Sequence, residues 1–507
     1  MKKNRITKKN RIKIKLMKAA AAALAAMAAL TFIPAPAGIA VAVGNSTTAS
    51  DTQNSGSDEN KTENTGGTTT ENKNDKTEKQ PASNPERKPG EKPQLGEGET
   101  GILVDASSGN TLFEADANKR MYPASTTKIM TALLAVEAVE RGEVSMDSQV
   151  EITHEMLDGL DPDGSNMALK EGEILSLDSL LKGLMIPSGN DAACAIAYFI
   201  GGSKEEFVDM MNSRAEELGA VSTHFKNPNG LHDDDHYTTA ADMAKIACAA
   251  MKLDKFRNIV DNAHIKIPPT NKTEKERYYI NTNGLLSTMR YTKYYYKGST
   301  GVKTGYTAKA GNCLVSAAKR DGIELIGVIF GGKDVSDSHK DSIEMLDWGF
   351  EAYTAVTALK AGDMPCEIKV KQGKGTDSLT LSVKSSVSVL VPKGTTVDQL
   401  EIRPNLPDAA YAPIDAESEI GTISVLFNGV ELARGSLIAN KSIERSAFWP
   451  VMAMADRLWS NKITKTLICV AAVLIVCCVI AFVVTFITAL RRNIKKARRK
   501  KRYRRIR

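Results

Sequence analysis

Apolar residues recur along this 507-residue chain with different periods, and each period predicts its own architecture. Helical spacing runs through 129–139 and dominates from about 175 to 252, with a further helix expected near 341–359. Short runs of β-branched and apolar residues predict strands at 102–105, 111–113, 301–303, 311–317 and 324–330. The first two are joined through a Ser108-Gly-Asn110 turn. Strand, helices, strands and a closing helix in that order predict an α+β domain, a sheet flanked by helices with a helical insertion. Between 365 and 440 the pattern shifts to short strands between turns, at 367–371, 379–383, 387–391 and 422–427, which reads as a small all-β module. Residues 466–490 carry no charge at all. As a helix at ~1.5 Å per residue they extend about 37 Å, enough to span a bilayer.

Two stretches lack a core-forming pattern. Residues 45–100 are rich in Ser, Thr, Asn, Glu and Lys, with no aromatic residue and a single leucine, Leu95. Such a segment cannot bury enough apolar surface to offset its ordering entropy, which predicts a disordered spacer, with a wall contact as the alternative. Ahead of it stand a cationic run to Lys18, an alanine-rich apolar run over 19–33, and small-residue sites at Ala35-Pro-Ala37 and Ala40-Val-Ala42. That is the pattern of a secretory signal, an uncleaved anchor being the alternative. Near the C-terminus, Phe448, Trp449 and Trp459 suit a membrane boundary, or else belong to a short helix packed on the β-module. The resulting division is a signal peptide over 1–42, a low-complexity linker over 43–97 and an α+β domain over 98–360. A small all-β domain over 361–442, a juxtamembrane segment over 443–465, a transmembrane helix over 466–490 and a polybasic tail over 491–507 follow.

Charge sharpens this division. Residues 1–18 hold nine Lys/Arg and residues 491–507 hold twelve, with no acid in either, so the net +7 of the whole chain leaves the middle at −14. The basic surplus therefore belongs to targeting and topology, and an acidic body disfavours a nucleic-acid partner. Cations directly after the apolar span place the C-terminus in the cytoplasm and the folded part outside, on a single-pass cell-membrane protein. Cys469, Cys477 and Cys478 fall within the span, while Cys194, Cys248, Cys313 and Cys366 have no regular spacing, so no disulfide framework is expected.

Candidate chemistry lies in three motifs in fixed order: Ser125-Thr-Thr-Lys128, Ser188-Gly-Asn190 and Lys303-Thr304-Gly305. A serine hydroxyl needs an adjacent base to become a nucleophile, and residues at i and i+3 share one helix face, so Lys128 stands one turn from Ser125. Pro123 suits a first helical turn, which places Ser125 near a helix N-terminus that favours developing negative charge. Singly, none of these motifs decides anything. Ser179-Leu-Leu-Lys182 repeats the first within a leucine-rich core pattern, and Ser108-Gly-Asn110 repeats the second in a turn. The ordered set of three is what carries the signal. His232-Asp-Asp-Asp-His236 has metal-ligand residue types, but its place in a loop before a helix start favours hydrated turn chemistry, and no metal is expected. No Gly-x-Ser-x-Gly elbow supports a histidine-based triad.

At these residues the chain resembles the D-alanyl-D-alanine carboxypeptidases, the low-molecular-mass penicillin-binding proteins. The resemblance extends to Tyr122-Pro123-Ala124 before the nucleophile and to Phe225-Lys-Asn227-Pro-Asn-Gly230-Leu231. It includes His236-Tyr-Thr238-Thr239, Asn281-Thr-Asn283-Gly-Leu285 and Gly301-Val-Lys303-Thr304-Gly305-Tyr306. It covers about 98–360, more weakly 362–442, and neither linker nor tail. It implies a serine β-lactamase/penicillin-binding-protein-like catalytic domain, an antiparallel sheet flanked by helices with a helical subdomain, then the small all-β domain and the transmembrane helix. It also implies a penicillin-sensitive serine carboxypeptidase that takes the terminal D-alanine from peptidoglycan stem peptides through an acyl-enzyme, without a cofactor. β-Lactam antibiotics would be its covalent inhibitors.

In the implied roles Ser125 attacks, Lys128 is the general base, and Ser188 relays a proton to the leaving amine. Asn190 binds the substrate amide and holds Lys128, and Lys303 and Thr304 hold the terminal carboxylate. Gly305 lets substrate backbone approach the edge strand, and the backbone N–H groups of Ser125 and Tyr306 form the oxyanion hole. Burial together with a second cation, Lys303, is expected to lower the pKa of Lys128. Tyr306 and Thr282 stand where some relatives carry histidine and arginine. Three rival readings remain: a β-lactamase, whose water-holding glutamate no motif places; a sensor or wall-binding protein that acylates without turnover, against which a 17-residue tail is short; and a D,D-endopeptidase.

Overall fold

The computed structural model describes residues 90–451, 454, 460 and 462–504. The expected signal segment and most of the linker lie outside the described residues, as do Trp459 and the last three residues of the tail. The first domain is built on five antiparallel strands: β1 (Thr100–Asp105), β2 (Thr111–Ala115), β3 (Ser299–Thr307), β4 (Gly311–Arg320) and β5 (Ile323–Gly332). They are ordered β2–β1–β5–β4–β3, which leaves β3 at an edge. Around helix α1 (Lys128–Glu140) pack α2 (Leu177–Met185), α3 (Asn190–Gly201) and α4 (Lys204–Glu217), while α5 (Ala240–Met251) and α6 (Val335–Ala352) pack on opposite faces of the sheet.

Period-two alternation along the strands feeds two cores. Ile102, Val104, Ile326, Val328 and Phe330 join the core that contains α1 to α5. Leu103, Leu325, Ile329 and Leu314 join the opposite core, with Ile343, Leu346 and Trp348 of α6. Helix α1 is buried on every side, with Ile129, Met130, Leu133 and Val136 fully enclosed. An all-round apolar helix has that place in a globular domain.

The expected closing helix at 341–359 is displaced. Helix α6 starts earlier, behind an Asp334 cap whose carboxylate accepts from Asp337 N at 3.1 Å, and stops at Ala352. Tyr353–Leu359 is instead a strand (β6), in which Tyr353, Thr354, Val356 and Thr357 suit a pleated surface. The sequence pattern also missed the hairpin His264–Ile267/Arg277–Ile280.

The second domain adds β7 (Cys366–Lys371), β8 (Ser378–Val383), β9 (Val387–Pro392), β10 (Glu401–Asn405), β11 (Ala410–Tyr411), β12 (Glu419–Phe427) and β13 (Val430–Ala439). Its six-stranded sheet runs β10–β12–β13–β8–β7–β11, and β6 pairs with β9. Leu379, Leu381, Val391, Ile423, Val425 and Leu437 form its core. Asn110 Nδ2, in the first hairpin, donates to Leu432 O at 3.3 Å and ties the two domains together. A last helix, α7 (Lys462–Arg504), contains Ile463–Arg498, one helix among the described residues long and apolar enough to cross a membrane. All seven cysteines are free thiols.

Truncating Leu133 to Ala removes a fully buried side chain from the helix that carries the candidate nucleophile. Denaturant unfolding of this variant should show a loss of ~2–5 kcal/mol. A loss below ~1 kcal/mol would contradict the packing of α1 in this core.

Candidate active site

Ser125 sits in a 3₁₀ turn, Ala124–Thr127, that runs straight into α1. The turn is pinned by Thr126, whose N and Oγ1 both donate to Pro123 O, at 3.2 and 2.7 Å. Lys128 opens α1 with no solvent exposure. Its Nζ stands 3.0 Å from Ser125 Oγ, 2.8 Å from Asn190 Oδ1 and 2.6 Å from Asn229 O. The first two of these neighbours were legible in the motifs, and the third was not.

Burial pushes the Lys128 amine from its ordinary value of 10.5 down to about 7, against the pull of Cys194 and Asp191. Protonated, it donates to all three oxygens. A neutral amine has two donors and one lone pair. The Asn229 carbonyl and the Asn190 amide oxygen take the two donors, so the lone pair faces the Ser125 hydroxyl. That is the geometry of a base. The expected help from Lys303 is not the cause. Lys303 is itself 1% exposed, and burial, then Lys128 and Arg290, hold its pKa well below the lysine range.

Each partner of Lys128 is fixed from behind. Asn190 begins α3 and its backbone N donates to Ser165 O at 2.7 Å. Asp191 accepts from Met167 N at 2.9 Å and Leu169 N at 3.1 Å, which ties the 165–169 loop to the same helix start. The Asn229 carbonyl is held by the turn around it. Asn227 Oδ1 accepts from Gly230 N at 2.7 Å, and Thr131 Oγ1 of α1 donates to Pro228 O at 2.6 Å. Gly230 has φ +84°, and a Cβ there would overlap the carbonyl of Ala124. Both ring nitrogens of His236 are engaged in hydrogen bonds. Its Nδ1 accepts from Lys226 N at 3.1 Å, which leaves Nε2–H to donate to Thr127 Oγ1 at 2.8 Å. Burial pushes its pKa down to about 3, so the ring is neutral.

The Lys-Thr-Gly strand closes the site. A Cβ on Gly305 would lie 3.0 Å from Ser125 N, so the missing side chain lets β3 press against the nucleophile's own backbone. Substrate approach was the reason expected from sequence, whereas the close neighbour here is protein. Lys303 Nζ donates to Thr304 O at 2.8 Å, and Thr304 Oγ1 donates to Thr282 Oγ1 at 2.6 Å. A cavity of about 250 Å³ opens in front, lined by Ser125, Ser188, Thr304, Gly305 and Tyr306, with Thr282 and Arg290 on its wall. Tyr306 is 65% exposed at the rim.

With this geometry in place, comparison with known proteins is decisive. Residues 88–334 match the family described as D-alanyl-D-alanine carboxypeptidase, and residues 353–445 match the C-terminal domain of penicillin-binding protein 5. The D-alanyl-D-alanine carboxypeptidase DacF of Bacillus subtilis is 34% identical over 349 residues, 69% of this chain and 86% of that protein. This chain belongs to the D-alanyl-D-alanine carboxypeptidase family. DacA of Escherichia coli is 30% identical over 358 residues, 69% of this chain and 84% of that one. The crystal structure of penicillin-binding protein 5 from Haemophilus influenzae superposes with a TM-score of 0.56 at 29% identity, covering 68% of this chain and 97% of that one. The expected fold, a penicillin-binding-protein-like catalytic domain with a small all-β domain behind it, is the fold observed.

The family motifs in this chain therefore have a physical arrangement of their own, in which Gly230 is as constrained as any motif residue. Gly230→Ala would force a left-handed φ on alanine and drive its methyl into Ala124 O. We expect unfolding to become easier by ~1–2 kcal/mol, seen as a lower thermal midpoint, and the covalent reaction of Ser125 with an active-site label to slow by about tenfold. Unchanged labelling would show that the Ala124–Gly230 contact does not position the nucleophile.

Proposed function

We propose that this protein is a serine-type D-alanyl-D-alanine carboxypeptidase that removes the terminal D-alanine from peptidoglycan stem peptides and is acylated by β-lactams. The observation that carries this reading is the buried Lys128 amine 3.0 Å from Ser125 Oγ, at the wall of a cavity that Thr304 and Gly305 also line. Ser125 Oγ adds to the carbonyl carbon of the D-Ala–D-Ala bond as Lys128 takes its proton. Backbone N–H groups of Ser125 and Tyr306 stabilise the oxyanion, each donor being worth roughly 3–4 kcal/mol in sites of this type. The C–N bond then breaks, and the departing amine takes a proton by way of Ser188. Water adds to the resulting ester as Lys128 accepts its proton, the ester C–O bond breaks as that proton passes to Ser125 Oγ, and the shortened peptide leaves with Ser125 and Lys128 restored. Asn190 holds the base and the substrate amide.

The domain division proposed is the one read from the sequence, with the β-module as spacer between enzyme and membrane. Helix α7 anchors the protein, the catalytic domain faces outward, and the polybasic tail lies in the cytoplasm.

Two measurements test the chemistry. D-Alanine release from a D-Ala–D-Ala-ended muropeptide by the full-length protein in detergent should vanish in Ser125→Ala. A wild-type protein that labels with penicillin but releases no D-alanine would favour the sensor reading instead. Only neutral Lys128 accepts a proton, and its neutral fraction grows as pH rises through about 7. The acylation rate should therefore fall about tenfold per pH unit below ~6 and level off above ~8. A flat profile from pH 5 to 9 would remove Lys128 as the base.

A further inference from the structure

We propose that Arg290, outside all three motifs, supplies the positive charge that anchors the terminal carboxylate of the acyl donor. The inference rests on the carboxypeptidase reading and adds a specificity residue to it.

Position comes first. Arg290 lies on the short helix Thr288–Tyr291, in the connection that leads into β3, and it is exposed there. It lines the same cavity as Ser125, Ser188, Thr304 and Tyr306. Among the described residues lining that cavity it is the one Arg or Lys, and no Asp or Glu is among them. The segment is anchored on both sides. Ser287 Oγ accepts from Met289 N at 3.0 Å, and the Tyr294 ring stacks on His339 at 4.9 Å. His339 in turn fixes the 282–285 turn, its Nε2 accepting from Gly284 N at 3.1 Å.

Charge is the second strand of the argument. A carboxylate entering a confined cavity sheds water and needs a cation in return. Lys303 does not line this cavity; it is 1% exposed, and its Nζ donates to Thr304 O. The guanidinium of Arg290 stands near enough to depress the Lys303 amine further, after burial and Lys128. Of the two residues, the arginine is the one that faces the cavity. Its planar fork also matches a carboxylate with two parallel hydrogen bonds. Thr304 Oγ1, now paired with Thr282 Oγ1, supplies a neutral contact beside it.

Full-length protein in detergent, as wild type, Arg290→Ala and Arg290→Lys, should be assayed on two peptides ending in D-Ala–D-Ala. One carries the free terminal carboxylate and the other its amide. Arg290→Ala should lose about 10- to 100-fold in kcat/KM on the carboxylate peptide and change little on the amide, with Arg290→Lys in between. The thermal midpoint should not move, since Arg290 is exposed. Equal losses on both peptides, or none on either, would overturn the assignment. A wild type inactive on both peptides would instead count against the carboxypeptidase reading. Acylation by a penicillin and by its methyl ester then reads Arg290 separately: selective loss with the free acid supports the assignment, and unchanged preference overturns it.

Discussion

A lysine ammonium taken out of water carries a desolvation penalty of several kcal/mol, and the surroundings of Ser125 follow from how that penalty is avoided at Lys128. The amine sheds its proton near neutral pH and places its two remaining donors on oxygens that cannot themselves donate in exchange. Those oxygens come from distant parts of the chain, the start of α3 and the turn at 227–230. Holding both in register requires Asp191, Asn227, Thr131 and His236, none of which touches Ser125. Three buried polar side chains and the half-buried Asn227 are thus committed to aiming one lone pair. Such an arrangement trades stability for chemistry, because each buried polar group must be fully satisfied to be tolerable.

The sheet meets a second constraint. Strand β3 has a hydrogen-bonded neighbour on one side, β4, and the cavity borders the other. An interior strand could not present Thr304 and Gly305 to a ligand, and an exposed edge is an aggregation hazard that proteins normally cover. Here the 3₁₀ turn that carries Ser125 packs on the face of β3 beside that edge, and only a glycine at 305 allows the approach. The same bare backbone thus brings the third motif to the first.

How far the sequence reaches is clearest at particular residues. The three motifs, the α1 helix and the five-stranded sheet follow local rules: i to i+3 spacing, period-two alternation and a polar turn at 108–110. Physical factors with no local signature escaped. The Asn229 carbonyl acts through backbone geometry, and any residue type at that position has a carbonyl. The Asn-Pro-Asn-Gly run announces a turn but not what the turn faces. The end of α6 was misjudged because 353–359 combines apolar residues that suit either period, and pairing with β9 decided for a strand. The lowering of the Lys128 pKa was credited in part to the charge of Lys303, whereas burial is what lowers both amines.

That last point explains why the site uses two kinds of cation. Burial lowers the pKa of both enclosed lysines, and at Lys128 it brings the amine to about 7, where it can take up a proton. Arginine holds its proton under any conditions a protein meets. Its place is therefore at the exposed wall, where a permanent charge is tolerable and a carboxylate can reach it. Exchanging the two residue types would fail in both directions. A buried arginine at 128 could never act as a base, and a lysine at 290 would keep the charge but lose the planar fork. Depth in the protein, more than residue identity alone, sorts these cations into a base and an anchor.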